Sequence, residues 1–274
     1  MCGIPPLGGP GAGLGAALSY CVFLALNSIV VLRMNQFARY HVFARLPKPV
    51  PRDWWALLTV CVPIGLTVFC EQSIFGAVGL LMAAYGTTVV AAHQAAMNFT
   101  TIVYMLPLSV SMAITILVGY EVGAGRENGA RAYIRLSRVL TLFFVGLIAM
   151  LLAAMRDMVA ALYTTNLEVQ ELLRVFLLYA LALQFSDCVN APLQGALRGY
   201  KDVTVTFWLA VLSFWGIGLP SGYMLAEWTD LGPYGYWAGL IGGVVVGAVL
   251  LMIRLRVIEG RMRRAKQQGN VSSL

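Results

Sequence analysis

Long apolar stretches, separated by short segments rich in charged and polar residues, run through most of the chain. Most of them reach or exceed the roughly 20 residues that an α-helix needs to cross a bilayer. The short alternating segments of a transmembrane β-barrel do not occur in the sequence. The pattern therefore predicts an all-α integral membrane protein with about seven transmembrane helices. The predicted spans are Gly11–Leu32, Trp54–Tyr85, Thr88–Val118, Val139–Met155, Val175–Gln194, Val203–Leu225 and Tyr236–Ile253.

The amino-acid composition supports this class of protein. Hydrophobic residues make up 59% of the chain and charged residues only 11%. A soluble domain usually carries about a quarter charged residues. The composition therefore excludes an ordinary soluble globular protein.

The basic residues are concentrated on one side of the predicted spans. All but two of the 19 Lys and Arg residues fall in the first, third and fifth loops and in the C-terminal tail. The positive-inside rule places that side in the cytoplasm, so the N-terminus is expected outside and the C-terminus inside a bacterial-type inner (plasma) membrane. The net charge of +7 then indicates topology and contact with the anionic headgroups of membrane lipids. Nucleic-acid binding is not expected, because the spans leave no length for a folded basic domain.

The cysteines and histidines show no spacing typical of a metal site or a disulfide framework. Glycine-rich loops that bind phosphate are also absent from the sequence, which disfavours an ATP-driven pump. An intramembrane enzyme needs a nucleophile, a base and an orienting group at one depth. His93 is the one histidine predicted inside the membrane, and no clear partner accompanies it. The sequence therefore predicts no resident metal, no cofactor and no enzyme.

Two carboxylates interrupt the predicted spans. Glu71 is the single charge in Trp54–Tyr85, and Asp187 is the single charge in Val175–Gly195. A charged residue at the middle of a spanning helix costs roughly 3 kcal/mol on insertion scales, and it usually faces a cavity, a partner or a transported ion. We expect both carboxylates to bind a cation or a proton. The alternative is a structural carboxylate that is hydrogen-bonded across helices.

Amide side chains accompany both carboxylates at helical spacing. Gln94 and Asn98 lie four residues apart on the third predicted span, and their polar stripe can face the carboxylate of the second span. Gln184 and Asn190 share a face of the fifth span with its own carboxylate. These amides are predicted to line a cavity. Amides that only hold helices together are the alternative interpretation.

Phe75 follows Glu71 by four residues, so the two side chains share one face of the helix. The ring can therefore be offered to a cation bound beside the carboxylate. Simple packing of the ring is the alternative. Counting residues from the loop charges places Glu71 and Asp187 at comparable levels, each at least about 20 Å from the cytoplasmic surface.

Four stretches, in order along the chain, resemble the multidrug and toxic compound extrusion (MATE) family, NorM-like branch. The resemblance covers nearly the whole chain. It equates the first predicted span with helix six of the family's twelve-helix, two-lobe fold, and the next six spans with helices seven to twelve. The stretches are PIGLTVFCEQSIF (Pro63–Phe75), TTVVAAHQAAMNFTTIVYMLPLSVSMAITILVGYEVGAG (Thr87–Gly125), QFSDCVNAPLQ (Gln184–Gln194) and QGALRGYKDV (Gln194–Val203).

The resemblance implies three regions. Residues 1–53 are expected to hold the sixth-helix equivalent and a basic cytoplasmic loop between lobes, residues 54–258 the C-terminal six-helix lobe, and residues 259–274 a basic cytoplasmic tail. The Pro- and Gly-rich start lacks the basic segment of a signal peptide and is typical of an interhelical loop. We therefore expect the back portion of a longer transporter, whose N-terminal lobe is a missing partner.

The resemblance also implies a function. A family member of this kind is a secondary active antiporter that exports cationic amphipathic drugs in exchange for Na⁺ or H⁺. Glu71 and Asp187 would carry the coupling ion, and a transported Na⁺ would be the only metal at the site. The alternatives are a non-transporting fragment or a half-transporter that needs an N-lobe partner, and a flippase for lipid-linked substrates.

Overall fold

The computed structural model describes residues 8–33 and 50–271, and all regular structure in these residues is helical. The elements in chain order are α1 (Gly8–Arg33), α2 (Pro51–Met82), a 3₁₀ turn (Ala83–Tyr85), α3 (Thr87–Gly123), α4 (Glu127–Tyr163), α5 (Leu167–Gly199), α6 (Val203–Val211), a π-helical turn (Leu212–Gly218), α7 (Leu219–Trp228) and α8 (Pro233–Val271). α6, the π turn and α7 follow one another without a break and form one crossing. The described residues contain seven helical spans long and apolar enough to cross a membrane, which confirms the predicted fold class.

The chain divides into two compact units, residues 1–55 and 56–274. The first unit contains α1, an apolar helix of 26 residues. The second unit contains most of α2 and all the later helices. The basic loop predicted between the first two spans lies largely in residues 34–49, outside the described residues.

Several helices extend beyond the predicted spans. α4 covers Glu127–Tyr163, whereas the apolar pattern predicts only Val139–Met155. α8 likewise continues to Val271, through most of the segment predicted as a tail. The predicted spans are shorter than the helices because hydropathy marks only the apolar middle of a helix. Arg, Glu, Lys and Gln, which fill the ends of these helices, are good helix formers.

Helix α5 lies at the centre of the second unit and packs against α3, α4 and α8. Its N-terminal half belongs to one hydrophobic core and its C-terminal half to a second one. Every residue from Asn190 to Leu197 is buried. Polar side chains on such a helix need partners or a cavity, because an unpaired buried polar group is costly.

Two glycines allow α5 to approach α3 closely. A Cβ atom added at Gly199 would lie 2.8 Å from the Cβ atom of Val118. A Cβ atom at Gly195 would clash with the backbone carbonyl of Ser111. The Thr115 hydroxyl donates a hydrogen bond to the carbonyl oxygen of Gly195, with an O–O distance of 3.1 Å. Small residues at helix contacts are typical of packing in membranes, where backbones must come close to gain attraction.

Glycines of α8 pack against the crossing formed by α6, the π turn and α7 in the same way. A Cβ atom at Gly243 would lie 2.8 Å from the carbonyl oxygen of Ser213 and 2.9 Å from the Cα atom of Gly218. Gly235 and Gly239 approach the backbone of α7 as closely. The π turn is therefore held against α8 by backbone contact.

Candidate functional site

A cavity of about 240 Å³ lies between α2, α3, α5 and the π turn. Its described lining includes two carboxylates and no Lys or Arg, so its formal charge is negative when both are ionised. The polar lining residues are Glu71, Gln72, Thr100, Thr101, Tyr104, Asp187, Asn190 and Gln194. The apolar lining residues are Phe75, Met97, Met105, Leu108, Ala191 and Phe214.

Glu71 lies on the face of α2 that packs toward the other helices of the second unit. The buried residues of α2 recur on this face at helical spacing: Thr67, Ile74, Val78 and Met82. Oε1 of Glu71 accepts a hydrogen bond from Nε2 of Gln194 on α5. Its other oxygen makes no hydrogen bond with the described residues and is therefore available to a ligand.

Gln194 connects this carboxylate to two further side chains of α5. Its Nε2 also donates to Oδ1 of Asn190, with an N–O distance of 3.2 Å. Its Oε1 accepts a hydrogen bond from a terminal guanidinium nitrogen of Arg198 at 3.0 Å. The three residues follow one another at intervals of four, so they lie on one face of the helix. The network links Glu71 to a guanidinium without a direct ion pair among the described residues.

Asp187 occupies a different environment in the same cavity. Its side chain is half-buried, and no described residue makes a hydrogen bond or an ion pair with its carboxylate. It lies seven residues from Gln194, or roughly 10 Å along the axis of α5. Asp187 therefore lines the cavity without a hydrogen-bond or ion-pair partner in the described part of the chain.

The comparable depth of the two carboxylates stays a prediction. Asp187 lies on α5, and Glu71 contacts the same helix seven residues further on, at Gln194. Glu71 lies in the middle of α2, but its contact Gln194 is little more than one turn from the end of α5 at Gly199. The two side chains still line one cavity, because the cavity extends along α5.

Among the predicted lining residues, Phe75 and Asn190 lie at this cavity. Phe75 is one helical turn from Glu71 on α2, so an aromatic ring and a carboxylate stand side by side in the lining. Asn190 is only 3% exposed, and its oxygen is occupied by Gln194. Phe75 therefore offers a ring surface to the cavity, whereas Asn190 holds the amide of Gln194.

The other three predicted lining residues lie outside the cavity. Gln94 is exposed on α3 and lies near Gly79, with its Nε2 3.7 Å from the position of an added Cβ atom. Asn98 accepts a hydrogen bond of 2.9 Å from the hydroxyl of Tyr163. Gln184 is buried, and both amide atoms lack a hydrogen-bond partner in the described structure. A helical stripe predicts which residues share a face, but not which length of that face adjoins the cavity.

Helical spacing placed Gln194 on the polar face of its span, but no residue pattern paired Gln194 or Arg198 with Glu71. Gln194 and Arg198 continue the interval of four that begins at Asn190, and this spacing was the available signal. Phe214 reaches the cavity from the π turn. The next residue, Trp215, donates its indole N–H to the carbonyl oxygen of Cys70 at 3.3 Å. No sequence pattern predicted the π turn, which orients these two rings.

His93 lies in a buried aromatic cluster, away from the carboxylates. Its Nδ1 accepts a hydrogen bond of 3.2 Å from the indole nitrogen of Trp237, and its ring centroid lies 6.3 Å from that of Phe176. The cluster joins α3, α5 and α8. In the described residues, no three His, Cys, Asp or Glu side chains are arranged to hold a metal ion.

Seven apolar helical spans and a cavity with two carboxylates define a multi-pass membrane protein with an internal polar site. The family model MatE matches residues 63–224. This match covers more than half of the chain, so the chain belongs to the MatE family. The family resemblance seen in the sequence is thereby confirmed.

Curated relatives named "Probable multidrug resistance protein NorM" match most of the chain. The protein of Oceanobacillus iheyensis is 47% identical over 257 residues, which are 94% of this chain and 58% of that protein. The protein of Halalkalibacterium halodurans is 45% identical over 272 residues, or 98% of this chain and 59% of that protein. The chain therefore spans less than two thirds of the length of these relatives.

Solved structures of MATE transporters share the fold. The eukaryotic MATE transporter AtDTX14 matches with a TM-score of 0.84 at 18% identity, over 94% of this chain and 58% of that one. The Vibrio cholerae MATE transporter VcmN in the bent form matches with a TM-score of 0.73 at 18% identity, over 89% of this chain and 55% of that one. At these identities the likeness concerns the fold alone.

Proposed function

We propose that the chain forms the cation-coupled lobe of a multidrug efflux antiporter, which exports cationic amphipathic compounds in exchange for Na⁺ or H⁺. The observation that carries the proposal is that Glu71 and Asp187 line one cavity whose described lining contains no Lys or Arg. The relatives named as multidrug resistance proteins support the class of substrate.

The two carboxylates provide the minimum requirement for exchange. Like charges in one poorly hydrated cavity repel each other, so a cation or a proton that binds there relieves the repulsion. A cationic drug and a coupling ion both neutralise the same negative charge. Because each weakens the attraction for the other, the site binds them in turn, and alternating exposure of the site to the two sides then gives antiport.

The identity of the coupling ion depends on the oxygen atoms available. Hard cations such as Na⁺ take oxygen ligands, and the cavity offers the two oxygens of Asp187 and the second oxygen of Glu71. A proton needs only one of these carboxylates. Efflux driven by a Na⁺ gradient at constant pH, compared with efflux driven by a pH gradient without Na⁺, distinguishes the two ions.

The apolar part of the lining suits variable substrates. Phe75 and Phe214 supply aromatic rings, and Met97 and Met105 supply flexible thioether side chains. Methionine adapts its shape to different ligands, and aromatic faces attract cations. A cavity of this composition binds amphipathic cations by contact area and charge rather than by a fixed set of hydrogen bonds.

Transport is proposed to need a second lobe. The chain spans 58% of the length of its relative from Oceanobacillus iheyensis, and alternating access in secondary transporters depends on two repeats that move against each other. We infer that the active unit combines this chain with an N-terminal lobe in the plasma membrane, with the C-terminus in the cytoplasm.

Charge-neutral variants test the proposal. Glu71→Gln and Asp187→Asn keep the shape of each side chain and remove its charge. In vesicles that contain this chain together with the N-terminal lobe of a relative, both variants are expected to lose ion-driven ethidium efflux while inserting normally. Gln184→Met, outside the cavity, is the matched control and should keep efflux. Near-normal efflux in both carboxylate variants would contradict the assignment.

A further inference from the structure

Gln194 uses both amide hydrogens and its carbonyl oxygen within the protein. The Nε2 group donates to Glu71 and to Asn190, and Oε1 accepts from Arg198. The side chain is 5% exposed, so water competes little for these bonds. An amide held at both ends has one allowed orientation.

Arg198 determines which end of the Gln194 amide faces which neighbour. A guanidinium group is only a donor, so the atom of Gln194 that faces it must be the carbonyl oxygen. The NH₂ group must then face Glu71 and the amide oxygen of Asn190, which are both acceptors here. A flipped amide would place its oxygen against the Glu71 carboxylate and its NH₂ group against Arg198. The contacts with the Glu71 carboxylate and with Arg198 would both become repulsive.

We propose that Gln194 is a positioning residue, whose amide is oriented by Arg198 and in turn holds one oxygen of the Glu71 carboxylate. The importance of this role for transport rests on the proposed function of Glu71 in cation coupling. We call the hydrogen bonds of Gln194 to Glu71 and Arg198 the Gln194 clamp. The geometry of this clamp does not depend on that function. Arg198 thus acts on Glu71 through Gln194, although the two charged groups form no ion pair among the described residues.

The clamp makes the two carboxylates unequal. Glu71 has one oxygen occupied by an amide, whereas Asp187 has no hydrogen-bond partner among the described residues. The oxygen of Glu71 that Gln194 leaves free is therefore the more open of the two to a ligand cation. Displacement by a cation releases the Gln194 amide from Glu71 while its carbonyl oxygen stays bonded to Arg198.

Infrared spectroscopy of the full 274-residue chain in lipid nanodiscs tests the clamp. The carboxyl stretching band that disappears in Glu71→Gln is assigned to Glu71. Its position is then measured in Gln194→Met, Arg198→Met and the double variant at one pH. Gln184→Met is the matched control, because it removes a buried amide of the same helix that has no partner in the described structure.

The expected result is a shift of the Glu71 band in Gln194→Met and in Arg198→Met, with no shift in Gln184→Met. The double variant should shift the band no further than Gln194→Met alone, because residues of one network are not additive. If Gln194→Met does not yield folded protein, Gln194→Asn replaces it. This variant keeps the amide but is one methylene too short to reach both partners, so the same shift is expected.

Two results would overturn the proposal. One is an unmoved Glu71 band in the Gln194 variant. The other is an Arg198→Met shift that is absent, or that persists in full when Gln194 is already replaced, since Arg198 would then act by its charge alone. Failure of the proposed function has a separate signature: the wild-type Glu71 band would not respond to added Na⁺ or to pH, whatever the clamp variants do.

Discussion

Asp187 and Glu71 both place a carboxylate in one cavity, but the hydrogen bonding of the two carboxylates differs. Asp187 faces the cavity without a described partner, and Glu71 is held by Gln194. A buried charge without a partner is costly, so an unpaired carboxylate is retained where a ligand supplies the missing contact. At the scale of single residues, Asp187 is therefore the more accessible ligand position and Glu71 the more constrained one.

Gln184 differs from Asp187, because it is a buried polar side chain that does not line the cavity. It is 2% exposed, and neither amide atom has a hydrogen-bond partner in the described structure. A buried polar group left unpaired costs about 1–3 kcal/mol. The side chain lies outside the cavity, so this cost is not offset by contact with a ligand there.

Replacement of Gln184 by Met is predicted to stabilise the protein. Methionine has nearly the same shape and removes both unpaired atoms, so we expect the free energy of unfolding to rise by about 1–2 kcal/mol. The measurement is the thermal unfolding midpoint of purified protein in detergent. Asn190→Met serves as the contrast, since it breaks the hydrogen bond to Gln194 and should lower the midpoint. A lower midpoint in Gln184→Met would mean that its amide has a bound partner such as water.

At the scale of helices, the fold depends on close backbone contact around α5. Gly199 and Gly195 bring this helix against α3, and the glycines of α8 do the same for the π turn. The contacts between helices set where Glu71, Asp187 and Phe214 meet. The cavity is thus a product of helix spacing as well as of its own lining residues.

Gly199→Ala is predicted to separate α3 from α5. The added Cβ atom would lie 2.8 Å from Cβ of Val118, and overpacking of this kind costs about 1–3 kcal/mol. We expect a lower unfolding midpoint in detergent. Gly76→Ala is the matched control, because no atom lies within 4 Å of its added Cβ. A drop of equal size in both variants would show that the loss comes from helix backbone effects rather than from the α3–α5 contact.

At the scale of the whole molecule, charge alone predicts the direction of the chain across the membrane. Basic residues outnumber acidic ones strongly on the side that includes Arg198 and the C-terminal segment. This asymmetry predicts a cytoplasmic C-terminus. In the proposed antiport, the direction decides which end of the cavity receives the drug and which receives the coupling ion.

Cysteine labelling from outside the cell tests this orientation. In a variant without its natural cysteines, a membrane-impermeant reagent should label a single cysteine at Asn166 or at Thr229. It should not label one at Gln268. The turns at Asn166 and Thr229 follow α4 and α7, so both should lie on the same side of the membrane. Labelling of Gln268 with protection of the other two would reverse the predicted topology.

The need for a second lobe is a prediction about the complete transporter. We expect cells that express the 274-residue chain alone to gain no drug resistance. Alternating access depends on two lobes that move against each other, and this chain is proposed to supply one of them. Co-expression or fusion of the N-terminal lobe of a relative should restore resistance. The Glu71→Gln variant of the fusion controls for effects of expression. Na⁺- or H⁺-driven drug efflux by the chain alone in proteoliposomes would contradict the prediction.

The sequence by itself determined the class of fold, the seven spans, the two carboxylates and the family. Hydropathy identifies segments that must cross a membrane, and a charge within such a segment stands out because its burial is costly. Helical spacing also placed Phe75 beside Glu71 and Asn190 near Asp187. These features depend on local chemistry or on intervals within one helix.

Only the tertiary structure decided which side chains meet. It placed Gln94, Asn98 and Gln184 outside the cavity, brought Gln194 to Glu71, and left Asp187 without a described partner. It also introduced the π turn that directs Phe214 into the lining. Periodicity defines a face of one helix, whereas these contacts depend on the spacing, tilt and register of neighbouring helices. Packing over the whole unit sets those three quantities, so residue intervals within a single helix do not predict them.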